Sequence, residues 1–258
     1  MTNVYHYRRR SYLERYEQGH YEEVWLELTA LGPTVRQEPI YSEAVAVARE
    51  TMRRVRHNLE LLVERLPTLN YRFATTPPLE YAHEQKSTYL QRIEQQYNPL
   101  PLSIRQFYEV FDEVTLLGDH PVLNRYDMDD TLDQEELSDE LSVLFTDPLC
   151  LFSLAPLEGT VEGIDDESMR QLGQFATIDL TPDLTFFTSA QTQMNKLIIP
   201  NSSMDVHATT GTWAGMLFIS YLRLSFKWGG FAGFSYQPEA AKVAKAELDF
   251  LTKDLLPI

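Results

Sequence analysis

The stretch SEAVAVARETMRRVRHNLELLVERL, residues 42–66, decides how the front of this chain is read. Val45, Ala48, Met52, Val55, Leu59, Leu62 and Val63 recur at the 3.6-residue period and draw one apolar stripe along a helix. Ser42 is the expected N-cap. Arg49, Arg53, Arg54 and Arg56 fall largely on the other side, where Glu43, Glu50 and Glu60 offset them, so the cluster reads as a solvated face. Upstream, Tyr12, Leu13, Tyr16, Val24, Trp25, Leu28 and Leu31 keep helical spacing. Gly19 interrupts them and Gly32-Pro33 ends them, which predicts a helical hairpin ahead of the long helix.

Downstream, Thr75-Thr76-Pro77-Pro78 reads as a linker. A polar helix is expected from Leu79 to Tyr97, stopped by Asn98-Pro99. Ser103 is placed to cap a short helix carrying Ile104, Phe107, Tyr108 and Phe111, and Val114 to Gly118 reads as a strand ending in a turn. Four β-like runs follow: Leu149–Leu154, Phe175–Leu180, Leu184–Thr188 and Lys196–Ile199. Two helices are expected to close the chain, Trp213–Trp228 ending at Gly229-Gly230, and Gln237–Leu256 with Ala240, Val243, Ala244, Leu248 and Leu251 on one face. Helices, then strands, then helices predict an α+β fold: an N-terminal hairpin and long helix packed on a small antiparallel or mixed sheet flanked by helices. The expected division is a helical region over 1–77 and an α+β domain over 78–258 with an acidic insertion at 126–147.

Composition narrows the function. The chain of 258 residues is 43% hydrophobic, enough for a substantial core. Its net charge of −16 is concentrated: residues 126–169 hold 14 acids and no Lys or Arg. Such a field repels nucleic acid and anionic lipid and attracts basic partners. The single cysteine, Cys150, lies in an apolar run and reads as a buried, inert thiol. No leader and no membrane span are expected, which suits the cytoplasm.

Motifs for chemistry fail on inspection. His83-Glu84 opens like a zincin helix, but Ser87 stands where the second His is needed. The run from Asp127 to Glu136 lacks the glycine of a calcium loop in either register, and Thr131 with Gln134 gives it capping-box spacing instead. Ser235 lacks the second glycine of a nucleophile elbow, Gly229 to Gly233 follows a helix rather than opening one, and Glu22-Glu23 and Asp165-Asp166 read as solvated pairs. No cofactor and no catalytic residue are expected.

Leu100-Pro101-Leu102-Ser103-Ile104-Arg105-Gln106-Phe107-Tyr108, followed by Leu117-Gly118, is similar to the opening motif of the SUKH superfamily, which includes the fungal cell-wall-assembly regulators. The pattern from Phe175 to Pro200 resembles that family's central strands, and the likeness covers about residues 79–235. Tyr221-Leu222-Arg223, Trp228 to Phe231 and the closing Leu255 to Ile258 look like the tail of a group of uncharacterised bacterial proteins that share the helical front end. The acidic segment and the N-terminal helices depart from the SUKH pattern. The resemblance implies a non-enzymatic module, often an immunity protein that neutralises a toxin. The acidic residues Asp127, Asp129, Asp130, Asp133, Glu135, Glu136, Asp139 and Glu140 are then the candidate contact surface for a basic protein. The alternatives are a hydrolytic enzyme with an unfamiliar acidic site, and an oligomeric scaffold that uses the arginine-bearing helices.

Overall fold

A computed structural model describes residues 10–125, 145–154, 176–183, 193–199 and 201–258. The fold is α+β. The helical hairpin is α1 (Tyr12–Glu17) and α2 (Tyr21–Ala30), and a 3-10 turn (Gly32–Arg36) leads to α3 (Ile40–Arg65). Ser11 and Glu14 close α1 with a capping box that the sequence reading did not pick out. Helix α3 starts earlier than expected, and Ser42 does not cap it: Ser42 donates its hydroxyl to the Glu38 carboxylate, which takes up the start of the helix instead. Val47, Ala48, Thr51, Met52, Val55, Asn58, Leu59 and Leu62 are buried along α3, whereas Val45 and Val63 sit at the margin. Trp25 of α2 donates its indole N–H to Thr51 at 3.0 Å, fixing hairpin against helix.

Strand β1 (Arg72–Phe73) follows α3, and β2 (Leu79–Tyr81) occupies the beginning of the expected polar helix. The strand wins there because Leu79 pairs with Val114 and the Pro78 carbonyl accepts from the Thr115 amide, while the two prolines before it cannot feed a helix. Helix α4 therefore runs only over Lys86–Tyr97, ending where expected at Asn98. Helix α5 (Leu102–Tyr108) is not capped by Ser103: the Leu102 and Ser103 amides donate to the carbonyls of Ser203 and Met204. Phe111 leaves α5 and opens β3 (Phe111–Thr115), which lies between β2 and β5 (Cys150–Leu151) in an antiparallel sheet. Strand β4 (Gly118–Asp119) pairs with β1. Strands β6 (Ala176–Asp183) and β7 (Gln193–Ile199) form an antiparallel pair whose register shifts between Asp179 and Thr181. The expected run Leu184–Thr188 lies outside the described residues.

The expected helix Trp213–Trp228 begins only at Phe218, giving α6 (Phe218–Lys227). Ahead of it, Ala208 bridges to Leu197, His207 bridges to Leu217, and Gly215 turns the chain at φ +84°, so the backbone groups there are already spent on neighbouring segments. Trp213, Phe218, Tyr221 and Leu222 are buried as the apolar segment predicts, with Leu217 half-buried. After α6, Gly229 and Gly230 take φ +62° and +98°, and a Cβ on either would come within 2.9 Å of Leu251 or Leu116. The last expected helix is two, α7 (Pro238–Val243) and α8 (Lys245–Thr252), broken at Ala244. The break turns Val243 out of the shared face to 70% exposure, while Ala244, Leu248 and Leu251 stay in. One buried core runs from Tyr16 to Ile258. Among the described residues no helix is long and apolar enough to cross a membrane.

Asp205 is buried beneath the start of α6, where its carboxylate accepts from the Val206 amide at 2.9 Å and the Ile219 amide at 3.1 Å. Burial pushes its carboxyl up to about 6, against the opposing pull of Ser103, those two amides and Arg223. A raised acid holds a proton in the folded state that the unfolded chain releases, so this group's stabilisation is full below the ordinary Asp range and is lost as pH rises through about 6. Asp205→Asn keeps one acceptor and cannot titrate. The difference in unfolding free energy between wild type and this variant should therefore change by on the order of 2 kcal/mol between pH 4 and pH 7, measured by urea titration. A constant difference across that range would refute the assignment.

Candidate functional site

Eight acidic residues were expected to form the partner surface: Asp127, Asp129, Asp130, Asp133, Glu135, Glu136, Asp139 and Glu140. All lie outside the described residues, as does the expected capped helix that carries them. The flanks of this stretch are described, and they are bonded to each other. His120 and Asn124 close a tight turn with amide–carbonyl bonds of 2.7 and 3.2 Å, and the His120 ring nitrogen accepts from the amides of Val122 and Leu123. The fully buried Asn124 donates to the Gly118 carbonyl at 2.8 Å and accepts from the Thr146 amide at 3.2 Å. The Thr146 hydroxyl donates to the Leu123 carbonyl. On its other side the Thr146 carbonyl accepts from Gly233, where any Cβ would clash with Thr146 backbone at 2.5 Å. Asp147, only 3% exposed, accepts the Trp213 indole N–H at 2.7 Å. The residues on either side of the acidic stretch thus meet in one clasp anchored to β4 and to the segment after α6.

The second site is a polar cleft of about 460 Å³ on α4, lined by His83, Thr88, Tyr89, Arg92 and Asp112, with Lys86 at its floor. Lys86 is 3% exposed and is the first lysine of the chain. Its ammonium donates to Asp112 of β3 and lies 5.1 Å from the Tyr89 ring centroid and 5.6 Å from that of Tyr108. Tyr108 is itself held by donating to the Phe152 carbonyl at 2.6 Å. Ser153 donates to the same Asp112 oxygen at 3.1 Å. A carboxylate and two ring faces thus take its N–H directions. The only sequence signal for it is that isolated lysine in an arginine-rich half.

Other expectations find their places. Cys150 is buried in β5, and burial pushes its thiol up to about 12, as an inert thiol requires. Glu22, Glu23 and Ser235 are exposed, and Asp165 and Asp166 lie outside the described residues. The arginine face is only partly solvated. Arg54 is drawn in: it pairs with Glu50 at 2.7 Å, lies 4.9 Å from the Tyr21 ring centroid and donates to the Pro257 carbonyl. Among the described residues Glu43 pairs with no arginine; it accepts from the Tyr12 amide. Asp205, whose carboxyl is raised, is sealed in the core. Among the described residues no group of His, Cys, Asp or Glu could hold a metal ion. No protein-family model, curated protein or solved structure matches this chain.

The Lys86–Asp112 pair is asymmetric, because the lysine is sealed while the aspartate is 26% exposed. Asp112→Ala strands a buried ammonium and should cost about 3–5 kcal/mol. Lys86→Met leaves a carboxylate that water can reach and should cost only about 1–2 kcal/mol. Urea unfolding of both variants checks this, and equal losses would contradict it.

Proposed function

We propose that this chain is a non-enzymatic protein-binding module whose acidic segment, 126–147, draws in a partner with a basic surface. The single observation that carries the reading is charge placement: 14 acids with no base fall between residues 126 and 169, and the rest of the chain is nearly balanced. The clasp of Asn124 and Thr146 supports it, because it ties both ends of residues 126–144 to the folded core. A tethered anionic stretch raises the encounter rate of a cationic surface without supplying most of the final contact. With the SUKH-like motif at Leu100 to Tyr108, the partner class this favours is a basic toxin such as a nuclease, and the role is that of an immunity protein acting in the cytoplasm.

Steering of this kind depends on salt, since the screening length falls from about 10 Å at 0.1 M to about 3 Å at 1 M. Replacing Asp129, Asp130, Asp133, Glu135 and Glu136 by their amides should slow association with the recovered partner about tenfold or more at low salt. Dissociation and fold stability should change little. Surface-plasmon kinetics over a salt series reads both rates, and an association rate indifferent to salt and to the five substitutions would leave the segment a solubilising face only.

A further inference from the structure

Helix α2, helix α6 and the closing residues of the chain enclose an open groove of about 910 Å³, and no arginine of α3 lines it. Helical spacing lays out its walls. On α2, Glu22 and Glu23 stand four and three residues ahead of Leu26, which puts the three on one face. On α6, Ser220, Leu224 and Lys227 recur at i, i+4 and i+7. Leu255, Leu256 and Pro257 make the third side. Arg223 ties the walls together, its guanidinium donating to the Tyr21 carbonyl at 3.2 Å and to the Ile258 carbonyl at 2.6 Å. The width of the groove is therefore set by the fold.

Leu26 is 59% exposed at its edge, although Val24, Trp25 and Leu28 of the same helix are buried. A leucine left standing beside an apolar groove supplies a knob and a hole on one surface, which is what a self-complementary contact needs.

Charge selects the occupant. Neither Glu22 nor Lys227 makes an ion pair among the described residues, and Glu23 only approaches His20, at 3.9 Å. Acid on one wall and base on the other, both left open, ask for a surface that brings both signs in the reverse order. A second copy turned by a two-fold axis does this: its α6 lies over α2 and its α2 over α6, so each attraction forms twice. Glu22 and Glu23 are also matched in number by Arg223 and Lys227, within a chain whose net charge is −16. Two such chains repel across most of their surface and least at this balanced, apolar face. We infer that the groove is the contact of a symmetric dimer, with each Leu26 seated against Leu224 of the other copy and Glu23 facing its Lys227.

Sedimentation equilibrium of the full chain, over a concentration series reaching the millimolar range, tests this. The wild type should pass from monomer to dimer and stop there. Leu26→Asp puts a charge into the apolar contact and should weaken the dimer about tenfold or more, with the urea midpoint of the monomer unchanged because Leu26 is exposed. Glu23→Lys and Lys227→Glu should each weaken it about tenfold, since each sets like charges across the axis twice. Combined in one chain, the two reversals should restore association to near the wild-type strength. A chain that stays monomeric, a mass that grows past the dimer, a dimer indifferent to Leu26→Asp, or a double reversal no better than either single one would overturn the proposal.

Discussion

Asn58, buried midway along α3, donates to the Leu256 carbonyl at 2.8 Å and accepts from the Leu256 amide at 2.7 Å. That reciprocal pair joins residues almost two hundred positions apart, and much of the remaining structure follows from it. With Leu256 fixed, Arg54 can reach the Pro257 carbonyl and Arg65 the carbonyls of Leu251 and Lys253. Arg223 of α6 completes the arrangement by donating to the Ile258 and Tyr21 carbonyls, so α2, α3, α6 and the closing residues share one set of clamps. Guanidinium forks suit this work because each offers several fixed donors to main-chain carbonyls.

This use of arginine explains why the front of the chain was only half legible. The 3.6-residue stripe located α3 correctly, since a long run of apolar positions at one period has few other solutions. The same sequence assigned the arginines to solvent because periodicity knows only the helix and not what packs against its polar side. Arg54 became a core-edge residue through Tyr16, Tyr21 and Pro257, contacts set by tertiary structure. The shorter elements failed for a related reason. Leu79 to Tyr81 and Trp213 to Leu217 are apolar enough to be helical, but their backbone groups are claimed by β3 and by the segments beside β7.

Site residues divide along the same line. The inertness of Cys150 followed from its apolar neighbours in sequence, and burial confirms it. Gln106 lies inside the very motif that suggested a family, yet nothing in the sequence distinguishes it from a helix-surface glutamine. Its burial depends on α3 lying across α5. Lys86 likewise gains meaning only when Asp112, Tyr89 and Tyr108 arrive from three different elements.

The residues that flank the acidic segment are held by a clasp of their own. The segment's eight acids between residues 126 and 144 repel one another in any compact arrangement, and the Asn124–Thr146 clasp adds the entropy of closing a loop. Neither contribution favours folding. The clasp itself is built with care nonetheless: Asn124 and Thr146 are fully buried, and every side-chain polar group on the two residues is used. A chain that needed only solubility could scatter its acids over the surface at less electrostatic cost. Concentrating them in one stretch, and seating both ends of that stretch in the core, is the arrangement expected where local field strength matters more than stability.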